Sequence, residues 1–197
     1  MSVVGIAFLS VFGVNALLRY GSGTCSECRG THAPRGLAGS LAFLASALAA
    51  GTLHGLLMRF ALRPLGLETL DPFVFALVSS ASGFALALGA SRLKGDFADR
   101  LAKSLDRLTP SCAIYGIALA ASGLARSGSA ILVASFFGAL GYLAASAILD
   151  AIRERLELEN LPDAFKGAPA YFISAGLLAL AFHGLESMLG PMFGSLR

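Results

Sequence analysis

The stretch Leu108-Thr-Pro-Ser-Cys-Ala-Ile-Tyr-Gly116 organises this chain, because it places one cysteine at the start of an apolar segment. That segment, Ala113–Ala125, is too short to cross a hydrocarbon core of about 30 Å, which takes about 20 helical residues. A second stretch, Gly21-Ser-Gly-Thr-Cys-Ser-Glu-Cys28, closes another short apolar segment and carries two more cysteines. The sequence therefore predicts two interrupted helices with cysteines at their interruptions.

The rest of the chain has the composition of a membrane protein. It is 56% hydrophobic and 14% charged, and its mean hydropathy is +0.74, whereas about a quarter of the residues in soluble domains are charged. The net charge of +3 is spread over loops and gives no support for nucleic-acid binding. No basic residue precedes the first apolar run, which favours a membrane segment over a signal peptide.

The hydropathy pattern divides into six apolar segments. They are Ser2–Leu18, Leu37–Met58, Pro72–Ser91, Ala113–Ala125, Ser127–Leu149 and Gly167–Leu185. Their lengths repeat as short, long, long in each half, and three segments per half would set two similar halves in opposite senses, as in many transporters. We predict an all-α integral membrane protein, one domain over 1–197, with six transmembrane helices. Two inverted three-helix repeats, 1–95 and 96–197, would each begin with a short or broken helix.

Basic residues predict the orientation of these segments. Loops one, three and five carry most of the lysines and arginines, and cytoplasmic loops are enriched in such residues. The opposite side carries only Arg59, Arg63, Arg126 and Arg197. We therefore expect both termini to lie outside and all three cysteines to lie toward the cytoplasm.

Polar residues inside or beside the segments form a second set of candidates. Intramembrane ionisable groups are functional candidates by default, but for His54 and His183 we favour neutral imidazoles bonded to a neighbouring helix. Asn15 lies in the first short segment and is expected to cap a helix end or to bond across the bundle. Four acidic residues near segment ends are interpreted as solvated, with a cation path as the alternative. These four are Glu68, Asp71, Asp150 and Glu186.

The cysteines by themselves leave several chemistries open. Cys25-x-x-Cys28 fits a redox pair, half of a zinc site or half of an iron–sulfur site. Cys112 by itself fits an inert buried thiol.

Motifs in the second half are similar to those of the Rnf/Nqr membrane-subunit family. The residues that carry the resemblance are Asp150-Ala-Ile-Arg-Glu-Arg-Leu156, Leu161-Pro-Asp-Ala-Phe-Lys-Gly167, Ile173-Ser-Ala-Gly-Leu-Leu-Ala-Leu-Ala-Phe182 and Gly116-Ile-Ala-Leu119. In the first half, Val14-Asn15 and Gly23-Thr-Cys25 match further elements of the family. Within the family, the A-type Rnf proteins are the better match.

The resemblance implies a six-helix subunit that pairs with a homologous sister subunit in a prokaryotic cytoplasmic membrane. Each partner would give two cysteines to one intramembrane [2Fe–2S] cluster, here Cys25 and Cys112, with Cys28 as a spare candidate ligand. Other subunits of the complex would carry flavin and iron–sulfur centres.

The implied function is electron transfer from ferredoxin toward NAD, coupled to outward movement of Na⁺ or H⁺. Two alternatives stay open: a subunit of the Na⁺-translocating NADH:quinone reductase, and a cluster-free small transporter or scaffold of the same fold. The polar residues around Cys25 and Cys112 favour the last of these.

Overall fold

The computed structural model describes residues 3–13, 15–20, 37–92, 111–124, 127–158, 162 and 166–194, and every element within these ranges is helical. In chain order the elements are α1 (Val3–Phe8), a π-helical turn (Leu9–Gly13), α2 (Ala16–Tyr20), α3 (Leu37–Leu57), a second π-helical turn (Met58–Leu62), α4 (Arg63–Leu65), a 3-10 turn (Glu68–Leu70), α5 (Asp71–Ser91), α6 (Cys112–Leu124), α7 (Gly128–Leu158) and α8 (Ala168–Gly194).

Four of the described helices are long and apolar enough to cross a membrane. They cover Gly39–Leu65, Asp71–Gly89, Gly128–Leu156 and Ala168–Leu185. The helix that begins at Cys112 is apolar but shorter, with 13 residues. The prediction of an all-α membrane protein is therefore confirmed. The boundary between the two proposed repeats, at residues 95 and 96, lies outside the described residues, and the repeats stay a prediction.

The first apolar segment is broken, as the sequence predicts. Asn15 lies between the first π-helical turn and α2 and is 1% exposed. Its side-chain amide donates to the Val11 carbonyl at 3.1 Å, and its side-chain oxygen accepts from the Leu17 amide at 3.1 Å. Asn15 thus satisfies backbone groups that the break would leave unpaired on both sides.

Helices α3, α6 and α7 form the centre of the bundle. Gly51 and Gly55 of α3 face Ser135 and Ile131 of α7, so that the two helices run antiparallel in close contact. At the other end of the same contact, the rings of Phe43 and Tyr142 stack with centroids 4.8 Å apart. Small residues at this interface let the backbones approach.

Helix α6 fills the third position of this centre. Its Ala113, Ile114, Ile117 and Ala118 are at most 2% exposed, and they belong to one core cluster with α3 and α7. Gly138 of α7 makes room for α6, since a Cβ atom there would lie 3.3 Å from an Ile117 methyl group. The short helix is therefore held on two sides by longer ones.

The two remaining long helices, α5 and α8, lie on the outside. Exposed apolar side chains follow α5 at helical spacing, at Phe73, Leu77, Phe84 and Leu88. On α8, Phe12 from the first π-helical turn stacks on Phe182 at 5.8 Å between ring centroids. In both helices most large side chains face away from the bundle, as lipid-facing or subunit-facing residues do.

Candidate functional site

Cys112 is the first residue of α6, and its side chain is exposed. The preceding Ser111 caps the helix, because its hydroxyl oxygen accepts from the Ile114 amide at 3.4 Å. The structure thus places Cys112 at the capped N-terminus of a helix. The other two predicted ligands, Cys25 and Cys28, lie outside the described residues.

The chain that leads into Cys25 begins beside α6. Helix α2 packs against both α6 and α7, and its Leu17 is 4% exposed in the cluster that contains Ala113 and Ile114. Helix α2 ends at Tyr20, five residues before Cys25. The described structure therefore brings the approach to one predicted ligand next to the helix that carries the other.

A polar residue of α7, Tyr142, lies near Cys112 and connects it to polar side chains further along α7 and on α8. Tyr142 is within electrostatic range of Cys112, Asp150 and Tyr171, and Tyr171 is within range of Asp150 and Arg153. Tyr142 and Tyr171 are buried, while Asp150 is half-buried rather than fully solvated. The environment of Cys112 is polar on the side of these helices. Within the described ranges, no group of three or more His, Cys, Asp or Glu side chains forms a metal site.

A second polar site lies one helical turn further along α6. The Tyr115 hydroxyl donates to Asp71 Oδ2 at 2.9 Å, and His54 Nε2 lies 2.9 Å from Asp71 Oδ1. The His54–Asp71 approach is an ion-pair contact and not an aligned hydrogen bond, because the ring N–H is not directed at the oxygen. We call these three residues the His54–Asp71–Tyr115 cluster. It joins α3, α5 and α6.

Aromatic packing encloses this cluster. Phe75 lies edge-on to the His54 ring at 5.4 Å and contacts the Tyr115 ring at 4.7 Å between centroids. His54 is 0% exposed and Asp71 is 6% exposed. His54 Nδ1 is buried and has no hydrogen-bond partner among the residues that the structure describes.

These positions settle several of the sequence-based interpretations. His54 contacts a neighbouring helix as predicted, His183 lies on an exposed part of α8, and the neutral state of both imidazoles stays a prediction. The interpretation of Asp71 as a solvated helix end is wrong, because α5 begins against α3 and α6 and carries the carboxylate into the bundle.

The side chains of Glu68 and Glu186 lie outside the described part. Tyr115 is a site residue that sequence reasoning missed; a phenol three residues after Cys112, in an otherwise apolar helix, was the available signal.

Fold and site together define a multi-pass α-helical membrane protein with a cysteine at the start of a short inner helix and a buried ionisable cluster beside it. No protein-family model matches the chain. It is similar to the A-type subunit of the ion-translocating oxidoreductase complex from Azoarcus sp. (strain BH72), with 33% identity over 71% of this chain and 72% of that protein.

Two further relatives carry the same name. The protein of Pseudomonas paraeruginosa is 31% identical over 69% of this chain and 71% of its own length. That of Syntrophotalea carbinolica is 40% identical over 43% of this chain and 44% of its own length. The chain therefore belongs to the family of A-type subunits of ion-translocating oxidoreductase complexes, the Rnf-type family that its motifs resemble.

Proposed function

We propose that this chain is a membrane subunit of an ion-translocating ferredoxin:NAD oxidoreductase, and that Cys25 and Cys112 hold half of a [2Fe–2S] cluster. The other two thiolates would come from a homologous six-helix sister subunit. The observation that carries the proposal is the exposed Cys112 at the capped N-terminus of α6, inside a chain of this family.

The residues present fit such a cluster. Iron–sulfur clusters of this type take four cysteine thiolates, and the chain has three cysteines, so another chain must complete the set. The contact between α2 and α6 supports pairing of Cys25 with Cys112. Cys28 remains a spare candidate.

The polar neighbours of Cys112 have a role within this proposal. When bound, the cluster supplies one-electron transfer between the redox centres of subunits on the two faces of the membrane. Hydrogen bonds, nearby charge and solvent exposure set the potential of such a centre. Tyr142 is the described residue that would act directly on a cluster held by Cys112, and Asp150 and Tyr171 would act through their effect on Tyr142. The protein's part is to hold ligands and set their electrostatic surroundings.

The wider reaction follows from the same family membership. Electrons from reduced ferredoxin would reach NAD through this chain and through partners that bear flavin and iron–sulfur centres, while Na⁺ or H⁺ moves outward. The chain would lie in a prokaryotic cytoplasmic membrane with both termini outside. Two inverted repeats opening alternately would couple electron flow to ion movement.

The test is the iron–sulfur content of the complex purified with its sister subunit. We expect iron, acid-labile sulfide and a [2Fe–2S] EPR signal in the unaltered complex, and loss of that signal in Cys112→Ser and Cys25→Ser. Because the Cys112 side chain is exposed, Cys112→Ser should change stability by no more than about 0.5 kcal/mol. Ser187→Ala on α8 is the control and should keep the signal.

A complex without the signal, or a signal that both cysteine variants keep, would contradict the proposal and favour a cluster-free transporter or scaffold. A normal signal with quinone as the acceptor would instead indicate the quinone-reducing sodium pump. Comparing Cys28→Ser with Cys25→Ser identifies which cysteine of the pair is the ligand.

A further inference from the structure

The His54–Asp71–Tyr115 cluster is a buried ionisable site that the iron–sulfur proposal does not use. Its three side chains come from three different helices and meet within hydrogen-bonding distance. A charged group at such depth is costly unless it is paired. A cluster of this kind needs an explanation beyond packing, because apolar side chains of similar size would join the helices without that cost.

The charge on the cluster changes by one unit when it takes up a proton. With neutral imidazole and ionised carboxylate, the cluster carries −1, which the Tyr115 hydroxyl and the N-terminal end of α5 stabilise. Adding one proton gives an imidazolium–carboxylate pair or a neutral imidazole beside a carboxylic acid, and either has net charge zero. Both states have stabilising contacts in the structure.

The imidazole has a nitrogen available for that proton. An ionised carboxylate only accepts hydrogen bonds, so the tautomer that suits this short contact carries its hydrogen on Nε2, although the N–H is not aligned with Asp71 Oδ1. The lone pair is then on Nδ1, which is buried and has no hydrogen-bond partner in the described part of the chain. Proton uptake at Nδ1 forms one new N–H bond and leaves the other contacts of the cluster in place.

The chemistry of the cluster favours a proton over a metal cation. Hard cations are bound by several oxygen ligands, whereas here each Asp71 oxygen already faces a nitrogen or hydroxyl group. The third member is an imidazole, which titrates near neutral pH in its ordinary state. The position also suits a coupling element, since Tyr115 follows Cys112 by one turn of α6.

We propose that the His54–Asp71–Tyr115 cluster is an intramembrane proton-binding site of the translocation path. The inference rests on the proposed function in one respect, namely that the complex moves a cation, and it identifies that cation as H⁺. The proton enters from water and binds to the His54–Asp71 pair. Asp71, at the start of α5 and 6% exposed, is the member nearest the end of its helix.

Two ionisable groups on the surrounding elements lie away from the cluster along their helices, namely Arg63 and Asp150. Arg63 is exposed and its guanidinium donates to the Ser122 carbonyl of α6 at 3.4 Å. Asp150 follows Ser135, which faces Gly51, by 15 residues of α7, or about 22 Å along the helix. The remaining described groups are Arg59, Arg92, Cys112, Tyr142, Arg153, Glu154 and Arg155, and the sequence of these elements also holds Glu68 and Glu157.

The direct test is a pH titration of the histidine side chains by ¹⁵N NMR on the full chain in lipid nanodiscs. Loss of one imidazole signal in His54→Gln assigns His54. The titration covers the pH range in which the chain stays folded, and we expect the His54 signal to report the uptake of one proton within it. Asp71→Asn should displace the midpoint by about one pH unit or more, because it removes the charge of the contacting carboxylate. Tyr115→Phe should displace it less, and His183→Gln should leave it unchanged.

A His54 signal that stays constant across this range, or a midpoint that Asp71→Asn does not move, would overturn the proposal. The titration of the unaltered chain decides the matter even if Asp71→Asn fails to fold. A purely structural cluster, in which His54 and Asp71 only join helices, predicts this constant signal.

A second measurement places the site in the translocation path. In vesicles containing the assembled complex, His54→Gln and Asp71→Asn should lose electron-driven proton uptake while keeping the iron–sulfur EPR signal, and His183→Gln should retain both. Unchanged uptake in the two cluster variants would overturn the proposal. If the unaltered complex lacks an iron–sulfur signal, the proposed function fails, but the histidine titration still decides whether this site binds a proton.

Discussion

Helices α3 and α5 have nearly the same sequence properties and opposite positions in the molecule. Each is 21 residues long, and the membrane-length spans that contain them have the same hydropathy of 1.7. Yet 50% of the α3 span is buried inside the bundle, against 17% of the α5 span. The inner helix α7 and the outer helix α8 repeat the contrast, with 50% and 6% buried.

The difference shows that overall hydropathy does not separate inner from outer helices here. Lipid is as apolar as a leucine side chain, so the hydrophobic effect does not select which face packs against protein. Small residues do, as at Gly51 and Gly55 of α3, where an added Cβ would lie 2.9 and 2.8 Å from atoms of α7. On α5 a narrow inner face runs along Asp71, Phe75, Ser79 and Ser82, which are all buried.

The largest effect is expected from filling the tightest inner contact. A Cβ at Gly141 of α7 would lie 2.9 Å from both the Cα atom and the carbonyl oxygen of Val11. Backbone cannot move aside as a flexible side chain does, so Gly141→Leu should prevent recovery of folded, monodisperse protein. Gly176 on α8 has nothing within 4 Å of its Cβ position, and Gly176→Leu is the matched control. Size-exclusion chromatography in detergent compares the two variants. Equal recovery of both would show that the inner and outer glycines do not differ in the space around them.

An intermediate effect is expected from shortening a buried side chain on an inner helix. Ile117 of α6 is 1% exposed and Leu180 of α8 is 70% exposed. Ile117→Ala should cost about 1–3 kcal/mol, less than in a water-soluble core because neither state places the side chain in water. Leu180→Ala should change stability little, since lipid or a neighbouring protein replaces the missing contacts. Thermal unfolding in lipid nanodiscs measures both, and similar losses would show that α8 also has an inner face.

The smallest effect is expected from removing one hydrogen bond between the outer helix α5 and the inner helices. Tyr115→Phe keeps the ring that packs on Phe75 and removes the hydroxyl that donates to Asp71. The loss of that hydrogen bond should cost about 0.5–1.5 kcal/mol in thermal unfolding. Ser187→Ala, at an exposed hydroxyl of α8, provides a hydroxyl-removal comparison. A stability change in Tyr115→Phe no greater than in Ser187→Ala would mean that the contact does not hold α5 in place.

Much of the fold could be predicted because the membrane constrains local sequence so strongly. Uninterrupted apolar runs in a bilayer have to satisfy their backbone groups internally, which makes them helices. The break at Asn15 and the brevity of α6 followed from a polar residue and from segment length. Helix α7 continues to Leu158, nine residues beyond the apolar segment, because its last turns are amphipathic and need no bilayer.

The candidate site likewise has features that the sequence shows and features that only the fold shows. Cys112 was found from the sequence, since a cysteine beside a short apolar segment is visible without a structure. Its capped helix N-terminus and the approach of α2 come from the fold. Asp71 was misassigned because a carboxylate at a helix start has the same local sequence whether it faces water or a neighbouring helix.

The sequence by itself determined that this chain is an all-α membrane protein, that its first apolar segment is broken near Asn15 and its fourth is short, and which family its motifs belong to. Only the tertiary structure decided which helices lie inside, and that His54, Asp71 and Tyr115 meet. Asp71 and Tyr115 are 44 positions apart in the chain, and the three residues lie on separate helices. Their meeting depends on helix rotation and packing, which are set by contacts between segments and not by the hydropathy of any one of them.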